Sequence, residues 1–225
     1  GDYAQAENLI QQALEIRRRV LGENDPDFVL SLNSLAGLYE QIGNFQEALQ
    51  LYVHVVDIAR DAIGEDNLFF ARSLNNMASV HKALGSYGEA ESLYRRALEI
   101  WQKVAEEQED PDLAVLLNNL AHLYVLGNRY DEALPLLDQA LKITRQSLGD
   151  VHPQYARSLI NLASLHRDKG EFDRAEQLLK ESCEVLKNAL GPAHPDVATG
   201  LNNLAELYKE LGDFDRALAL YTEAG

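Results

Sequence analysis

The sequence is short of cysteine, proline and long apolar runs, and each shortage narrows the class of protein. One cysteine excludes a disulfide within the chain. Six prolines in 225 residues leave room for long uninterrupted helices. No apolar run reaches the roughly 18 residues that a membrane-spanning helix needs. We therefore expect a soluble, helical protein of the cytoplasm.

Basic residues are also scarce relative to acidic ones. The chain has 20 lysines and arginines against 36 aspartates and glutamates, which gives a formal charge of −16. Such a field repels nucleic-acid backbones and anionic lipid headgroups. We therefore expect neither nucleic acid nor a membrane among its partners.

The chain is built from a repeat. Its most regular segment, Leu32–Tyr39, reads LNSLAGLY, and related segments begin at Leu74, Leu117, Leu159 and Leu201. The offsets between these segments are 42, 43, 42 and 42 residues. A period of this length is typical of stacked helical units.

Each repeat predicts two antiparallel helices, named A and B here. Helix A carries apolar residues at helical spacing within segments such as Leu32–Tyr39. A Gly-x-aromatic-x-x-Ala pattern follows, as in Gly43, Phe45 and Ala48, and predicts a short turn into helix B. One repeat has Asn128 in place of the glycine, and asparagine also tolerates a left-handed backbone.

Capping residues mark the predicted starts and ends of these helices. Most A helices open with an aspartate or histidine before proline, and the second opens with Asn67 alone. A Leu-Gly pair closes most B helices. An acidic run at 105–110 replaces one such pair and carries the extra residue of the 43-residue offset. We expect a longer helix or a looser loop there.

No catalytic or metal-binding pattern is present in the sequence. The six histidines lack metal-ligand spacing, and no glycine-rich phosphate loop or nucleophile motif occurs. His152 and His194 precede prolines in the N-cap position, and His81 and His166 replace a tyrosine in a packing position. Cys183 occupies a core position that holds leucine or valine in other repeats, which predicts an inert thiol. We expect no enzyme and no cofactor.

These motifs resemble tetratricopeptide arrays of the long, 42-residue type found in kinesin light chains. The resemblance covers essentially all of the chain, and its motifs are specific for the repeat class but not for one protein. It implies an all-α fold, a right-handed superhelical solenoid of antiparallel helix pairs. It also implies a protein-protein interaction scaffold whose A helices line a concave groove.

The repeats divide the chain into a partial unit, four full units and a truncated fifth. The predicted boundaries are an orphan B helix at 1–24, then repeats at 25–66, 67–109, 110–151, 152–193 and 194–225. We expect the chain to be a fragment of a longer protein. Its end helices then leave apolar surface uncovered, which predicts weak end-to-end self-association.

One stripe of each A helix is expected to face the groove, as the resemblance implies. Its 25 positions hold five basic and four acidic residues in a chain with a charge of −16. The candidate peptide-binding residues on this stripe are Arg72, Asn75, Ser79, Lys82, Val115, Asn118, His122, Val125, Leu126, Arg157, Arg167, Asn202 and Lys209.

The stripe predicts an extended, acidic peptide as the ligand. Arginines would pair with its carboxylates, Val115, Val125 and Leu126 would form an apolar floor, and the first asparagine of each repeat would bind its backbone. Ile160 interrupts that asparagine series in the fourth repeat. The second asparagine, as in Asn76, is expected to make a hydrogen bond between repeats.

Two other functions fit the same sequence. The array would then be a regulatory or assembly segment that contacts another domain of its own protein, an enzyme or ATPase, or it would be a self-association module. In the full-length gene, a coiled-coil, protease-like or ATPase neighbour would decide between the peptide-binding scaffold and the regulatory or assembly segment.

Overall fold

The computed structural model describes residues 2–104 and 110–225. Within that part the chain forms eleven α-helices and no strand. The A helices are α2 (Pro26–Gln41), α4 (Leu68–Ala83), α6 (Pro111–Leu126), α8 (Pro153–Asp168) and α10 (Pro195–Glu210). The B helices are α1 (Tyr3–Leu21), α3 (Phe45–Ile63), α5 (Tyr87–Val104), α7 (Tyr130–Leu148), α9 (Phe172–Leu190) and α11 (Phe214–Ala224). The predicted all-α class is confirmed.

The A helices begin where their capping residues predict. The side chains of Asp25, Asp110, His152 and His194 each accept a hydrogen bond from the backbone N–H two residues ahead. Asn67 accepts one from the Phe70 N–H at 2.8 Å. These bonds satisfy N–H groups that have no partner within the helix. The predicted N-cap roles of His152 and His194 are therefore confirmed.

Left-handed residues end most of the helices. Gly64, for example, follows α3 with a φ of +88°, a conformation that costs glycine little. Asn128 has a φ of +57° in the turn between α6 and α7. It is the one non-glycine residue with positive φ in the described part of the chain. Asn128 thus adopts the left-handed backbone that was predicted for it at this turn.

Small residues let the helices of each pair approach closely. Ala36 and Ala48 are fully buried where α2 meets α3, together with the nearly buried Tyr52. Ala121 and Ala163 are fully buried at the equivalent positions of α6 and α8. Larger side chains at these positions would force the helices apart, so the alanines fix the spacing within each pair.

The chain divides into two compact units, Gly1–Glu106 with α1–α5 and Glu107–Gly225 with α6–α11. One core cluster of unit 1 joins α2 and α3 through Phe28, Leu32, Val55 and Ile58. In each unit every B helix packs on the A helices that precede and follow it in that unit.

The A helices of unit 2 also contact one another, α6 with α8 and α8 with α10. No pair of B helices in this unit is in contact to the same extent among its described residues. The A helices therefore lie closer together than the B helices, on the inner side of the unit. This is the side on which a groove was expected.

Cys183 is buried on α9 in the core of unit 2, beside Leu186 and Leu201. Burial raises the pKa of its thiol, which disfavours the reactive thiolate. Its predicted core position is confirmed. Gly200 of α10 faces it, and a Cβ placed at Gly200 would lie 3.1 Å from the Cys183 Sγ.

Two further expectations from the sequence concern the acidic run and membrane-spanning helices. Of the acidic run at 105–110, residues 105–109 lie outside the described residues, so the longer helix or looser loop expected there stays a prediction. Among the helices that are described, none combines the length and the apolarity that crossing a membrane requires.

Candidate functional site

The predicted stripe lies on the less buried side of the A helices in both units. Arg72, Val115, His122, Leu126, Arg157, Asn202 and Lys209 are exposed, whereas Asn75, Ser79, Lys82, Asn118, Val125 and Arg167 are half-buried. In each unit these stripe positions form a polar surface, which is called the strip of that unit.

Asparagine amides form a short ladder across the strip of unit 1. The Asn76 Nδ2 donates to the Asn33 Oδ1 at 3.1 Å, and the Asn75 Nδ2 lies 3.3 Å from the Asn76 Oδ1. The first of these bonds joins α4 to α2. The predicted hydrogen bond between repeats is therefore present at Asn76. It also engages Asn33, which had been assigned to the ligand.

A second polar group of unit 1 surrounds Glu40 near the end of α2. The Ser79 hydroxyl donates to the Glu40 Oε1 at 2.7 Å, and the Tyr52 hydroxyl lies 3.3 Å from the other oxygen. Burial lowers the pKa of Lys82, while the nearby negative charge of Glu40 acts in the opposite direction. Glu40 thus sits between hydroxyl donors and a cation on the strip.

The Tyr94 hydroxyl lies beneath the same group. The Tyr94 side chain is fully buried, and its hydroxyl has no hydrogen-bond partner among the described residues. Burial is the main cause that raises its pKa, the neighbouring Ser79 hydroxyl lowers it, and the Glu40 charge adds to the rise. The hydroxyl therefore remains neutral and retains an unused donor next to Ser79.

The cations of the unit 2 strip lie beside carboxylates of the same unit. The Arg157 Nη2 is 2.6 Å from the Asp196 Oδ2 and joins α8 to α10. Arg167 contacts Asp168 at 3.2 Å and reaches Glu210 of α10 at 3.9 Å. Sequence reasoning placed these arginines correctly on one helix but missed Asp196, which lies outside the predicted stripe.

Lys209 is paired within its own helix. Its Nζ is 3.0 Å from the Glu206 Oε2, and this contact raises the pKa of Lys209. Glu206 also accepts a hydrogen bond from the Tyr221 hydroxyl, and that bond is the main reason why the pKa of Glu206 is lowered. A ligand at α10 therefore meets charges that are already paired.

The asparagines of unit 2 are unlike one another. The Asn118 Nδ2 donates to the Ser158 Oγ at 3.3 Å, which joins α6 to α8, and its buried Oδ1 has no partner among the described residues. Asn202 is exposed. Asn203 donates to the Thr199 carbonyl of its own helix, so the hydrogen bond between repeats expected of the second asparagine is not made there.

The three side chains predicted to form an apolar floor lie on α6 and are exposed or half-buried. Val115 is 39% exposed and Leu126 is 51% exposed, with Val125 half-buried beside them. His122 is exposed on the same helix. These side chains offer apolar contact next to the amide of Asn118.

Unit 1 has an apolar cleft that the sequence reasoning missed. Leu30, Ile58, Ile63 and Phe69 are among its lining residues, and its volume is about 100 Å³. Leu30 and Phe69 occupy the repeat positions that hold Arg157 and Asp196 in unit 2. An apolar pair thus opens a cleft in one repeat where an ion pair bridges two helices in another. Aligning the repeats position by position shows this exchange.

Arg72 lies on α4 one turn from Phe69. Its guanidinium carbon is 5.6 Å from the centre of the Trp101 ring, within the range of a cation-π contact. Trp101 is almost fully buried, so the ring fixes the position of an otherwise exposed arginine. The cation is therefore oriented on the strip before any ligand arrives.

The first and last helices of the chain expose apolar side chains. On α1, which contains no fully buried residue, Leu9 is 59% and Val20 is 67% exposed. On α11, Phe214 is 68% and Leu218 is 67% exposed. These side chains form apolar surface outside the strips.

The strips combine amides, hydroxyl groups and paired charges, which are groups that can form hydrogen bonds and ion pairs. No group of three or more potential metal ligands is found in the described part of the chain.

A comparison with protein-family models gives a match to the tetratricopeptide repeat over residues 1–61, 69–145, 112–188 and 184–224. No significant match is found among curated protein sequences. Among solved structures, BtubC (BKLC) from P. vanneervenii is similar at 24% identity, with a TM-score of 0.81 over 100% of this chain and 90% of that one. A putative kinesin light chain from Podosopora anserina, with nearly identical TPR-like repeats, is 26% identical at a TM-score of 0.70. That similarity covers 87% of this chain and 92% of the other.

Repeat arrays of this kind generally mediate protein-protein interactions through extended surfaces and are generally not catalytic. The repeat motif, the helix pairs and the matched ranges, which together span nearly the whole sequence, agree with one another. The chain belongs to the tetratricopeptide repeat family.

Proposed function

We propose that this chain is a non-catalytic, cytoplasmic scaffold that binds an extended acidic segment of a partner protein along its A-helix strips. The ligand would lie across Arg72, Asn75, Ser79 and Lys82 in unit 1. In unit 2 such a segment would lie across Val115, Asn118, His122, Val125, Leu126, Arg157, Arg167, Asn202 and Lys209. The asparagine amides would hold its backbone, and the cations would hold its carboxylates.

The observation that carries this proposal is the charge of the strips compared with the whole chain. The chain has a formal charge of −16, yet the stripe positions hold five basic residues against four acidic ones. An acidic ligand is repelled by most of this surface and is attracted mainly to the strips. Electrostatic repulsion elsewhere then directs the ligand to one face.

The paired state of Arg157 and Arg167 is compatible with binding. Both ion pairs are partly exposed, and exposed pairs of this kind contribute little to stability. A ligand carboxylate can therefore replace Asp196 or Asp168 beside the guanidinium at small cost. Bidentate geometry with arginine would add direction to the contact.

The test is a double charge reversal, Arg157→Glu with Arg167→Glu, titrated with N-acetylated hexaglutamate. We expect its affinity to fall roughly tenfold or more, because two attractive contacts become repulsive. Binding is measured by isothermal titration calorimetry, and circular dichroism checks that helicity is retained.

The matched control places the same charge change on a B helix of the same unit. Lys142→Glu with Arg145→Glu alters two exposed residues of α7. We expect only a small loss of affinity from this variant. Equal losses in the two double variants would mean that the strip has no special role and that only total charge matters.

The exposed side chains of α1 and α11 favour a second candidate function, weak end-to-end self-association. Burial of apolar surface drives association; contact between unlike ends runs on as a filament, and a two-fold contact closes as a dimer. We expect the mean mass measured by light scattering to rise with concentration. A constant monomer mass at the highest concentration reached would contradict this.

A further inference from the structure

We propose that Glu40 is a resident carboxylate that occupies part of the binding strip of unit 1, and that a carboxylate of an acidic ligand binds there by displacing it. Ser79, Tyr52, Tyr94 and Lys82 would form the receptor. The inference rests on the proposed function, because it assumes an acidic ligand. It names Glu40 as the residue that sets how tightly such a ligand binds in unit 1.

Hydroxyl groups from two other helices converge on Glu40. One carboxylate oxygen accepts from Ser79 at 2.7 Å, and the other lies 3.3 Å from the Tyr52 hydroxyl. The three side chains come from three successive helices, α2, α3 and α4. Such convergence onto one carboxylate is what an anion-binding site presents to a ligand.

The Tyr94 hydroxyl is a buried donor without an acceptor among the described residues. A buried hydroxyl without a partner is costly, so its retention needs a reason. The Ser79 hydroxyl donates to Glu40, and the Tyr94 hydroxyl beside it has no acceptor at hydrogen-bond geometry among the described residues. Tyr94 is fully buried, so its hydroxyl can meet a ligand carboxylate only after side chains of this group have moved. The displaced state then satisfies a donor that the resident state leaves empty.

The Glu40 side chain can move away from these donors. It is half-buried near the end of α2 and lies on the strip, so its carboxylate can swing into water. Lys82 is also half-buried; burial lowers its pKa, whereas the Glu40 charge raises it. When Glu40 leaves, a ligand carboxylate would take over the charge balance that Glu40 now provides beside Lys82.

The variant that tests this is Glu40→Gln, which keeps the shape and one acceptor oxygen but removes the charge. We expect it to bind N-acetylated hexaglutamate about three- to fivefold more tightly than the wild type, the range for one partly exposed charge pair. Hexaglutamine should show no such gain. Lys82→Met in the Glu40→Gln background should cancel the gain, because the receptor then lacks its cation.

The matched control is Glu7→Gln in the same unit. Glu7 also accepts a hydrogen bond from a tyrosine, since the Tyr39 hydroxyl lies 2.7 Å from its Oε1, but Glu7 is on the B helix α1. Both variants remove one negative charge. A gain confined to Glu40→Gln supports the displacement, and equal gains or a loss in Glu40→Gln overturn it.

A measurement without peptide separates this inference from the proposed function. In Glu40→Gln the pKa of Lys82, followed by NMR, should fall further, because the neighbouring negative charge is lost. An unchanged pKa means that Glu40 does not face Lys82 and overturns the inference alone. A lowered pKa with no hexaglutamate binding in any variant overturns the acidic ligand, and the displacement with it.

Discussion

Tyrosine-glutamate hydrogen bonds join B helices to the A helices that follow them. The Tyr39 hydroxyl lies 2.7 Å from the Glu7 Oε1 in unit 1, and the Tyr208 hydroxyl lies 2.7 Å from the Glu176 Oε1 in unit 2. Each tyrosine stands 32 residues after its glutamate. A half-buried carboxylate next to another helix needs such a donor, since desolvation without one is costly.

Where histidine replaces the tyrosine, the glutamate is replaced as well. The residues 32 positions before His81 and His166 are Leu49 and Leu134. His166 instead contacts the Glu171 Oε2 at 2.6 Å in the next turn. The pair is thus exchanged as a whole, and no glutamate is left facing an imidazole at this position.

Removing one of these bonds has a predictable effect on pKa. Hydrogen bonds from Lys180 and then Tyr208 lower the pKa of Glu176. In Tyr208→Phe we expect that pKa to rise toward its ordinary value, as followed by carboxyl NMR. Because its pKa is lowered, this carboxylate stabilises the fold at every pH above the ordinary pKa of glutamate. That stabilisation is lost as the pH falls through the lowered pKa. The melting temperature of the variant should therefore be lower than that of the wild type at neutral pH and equal to it in acid.

The control for this prediction is Tyr39→Phe, which removes the equivalent bond in the other unit. It should leave the pKa of Glu176 unchanged. A Glu176 pKa that does not respond to Tyr208→Phe would mean that Lys180 alone holds this carboxylate.

At the scale of helices and turns, local sequence signals decide most of the architecture. The caps at Asp25, Asn67 and His152 and the left-handed Asn128 act within a few residues of themselves, so the sequence predicts them directly. The A helices are 16 residues long, as the spacing of these signals indicates. Such features depend on backbone chemistry that a single sequence contains.

The contacts between repeats were harder to predict, because they depend on side chains far apart in sequence. A charge count along one stripe finds Arg157 but not Asp196, which approaches from the next A helix. The same count treats Glu40 as one more acidic residue, whereas the structure shows it held by donors from two other helices. Stripe positions therefore predict which residues are presented, and packing between helices decides their partners.

At the scale of the whole molecule, the two units carry related strips on an acidic chain. Unit 1 combines an asparagine ladder, the Glu40 group and an apolar cleft. Unit 2 combines paired arginines with the exposed apolar side chains of α6. Repeats of one length thus present different chemistry, which is how a repeat array acquires specificity for one partner.

The central claim is that ligands bind on the A-helix strips, and NMR mapping tests it most directly. The ¹⁵N-labelled chain is titrated with N-acetylated hexaglutamate, and the shifts of the backbone and asparagine side-chain amides are followed. The account predicts that the largest changes fall on α4, α6, α8 and α10, including the side chains of Asn75, Asn118 and Asn202. Changes confined to B helices such as α7 and α9, or to the exposed faces of α1 and α11, would contradict it.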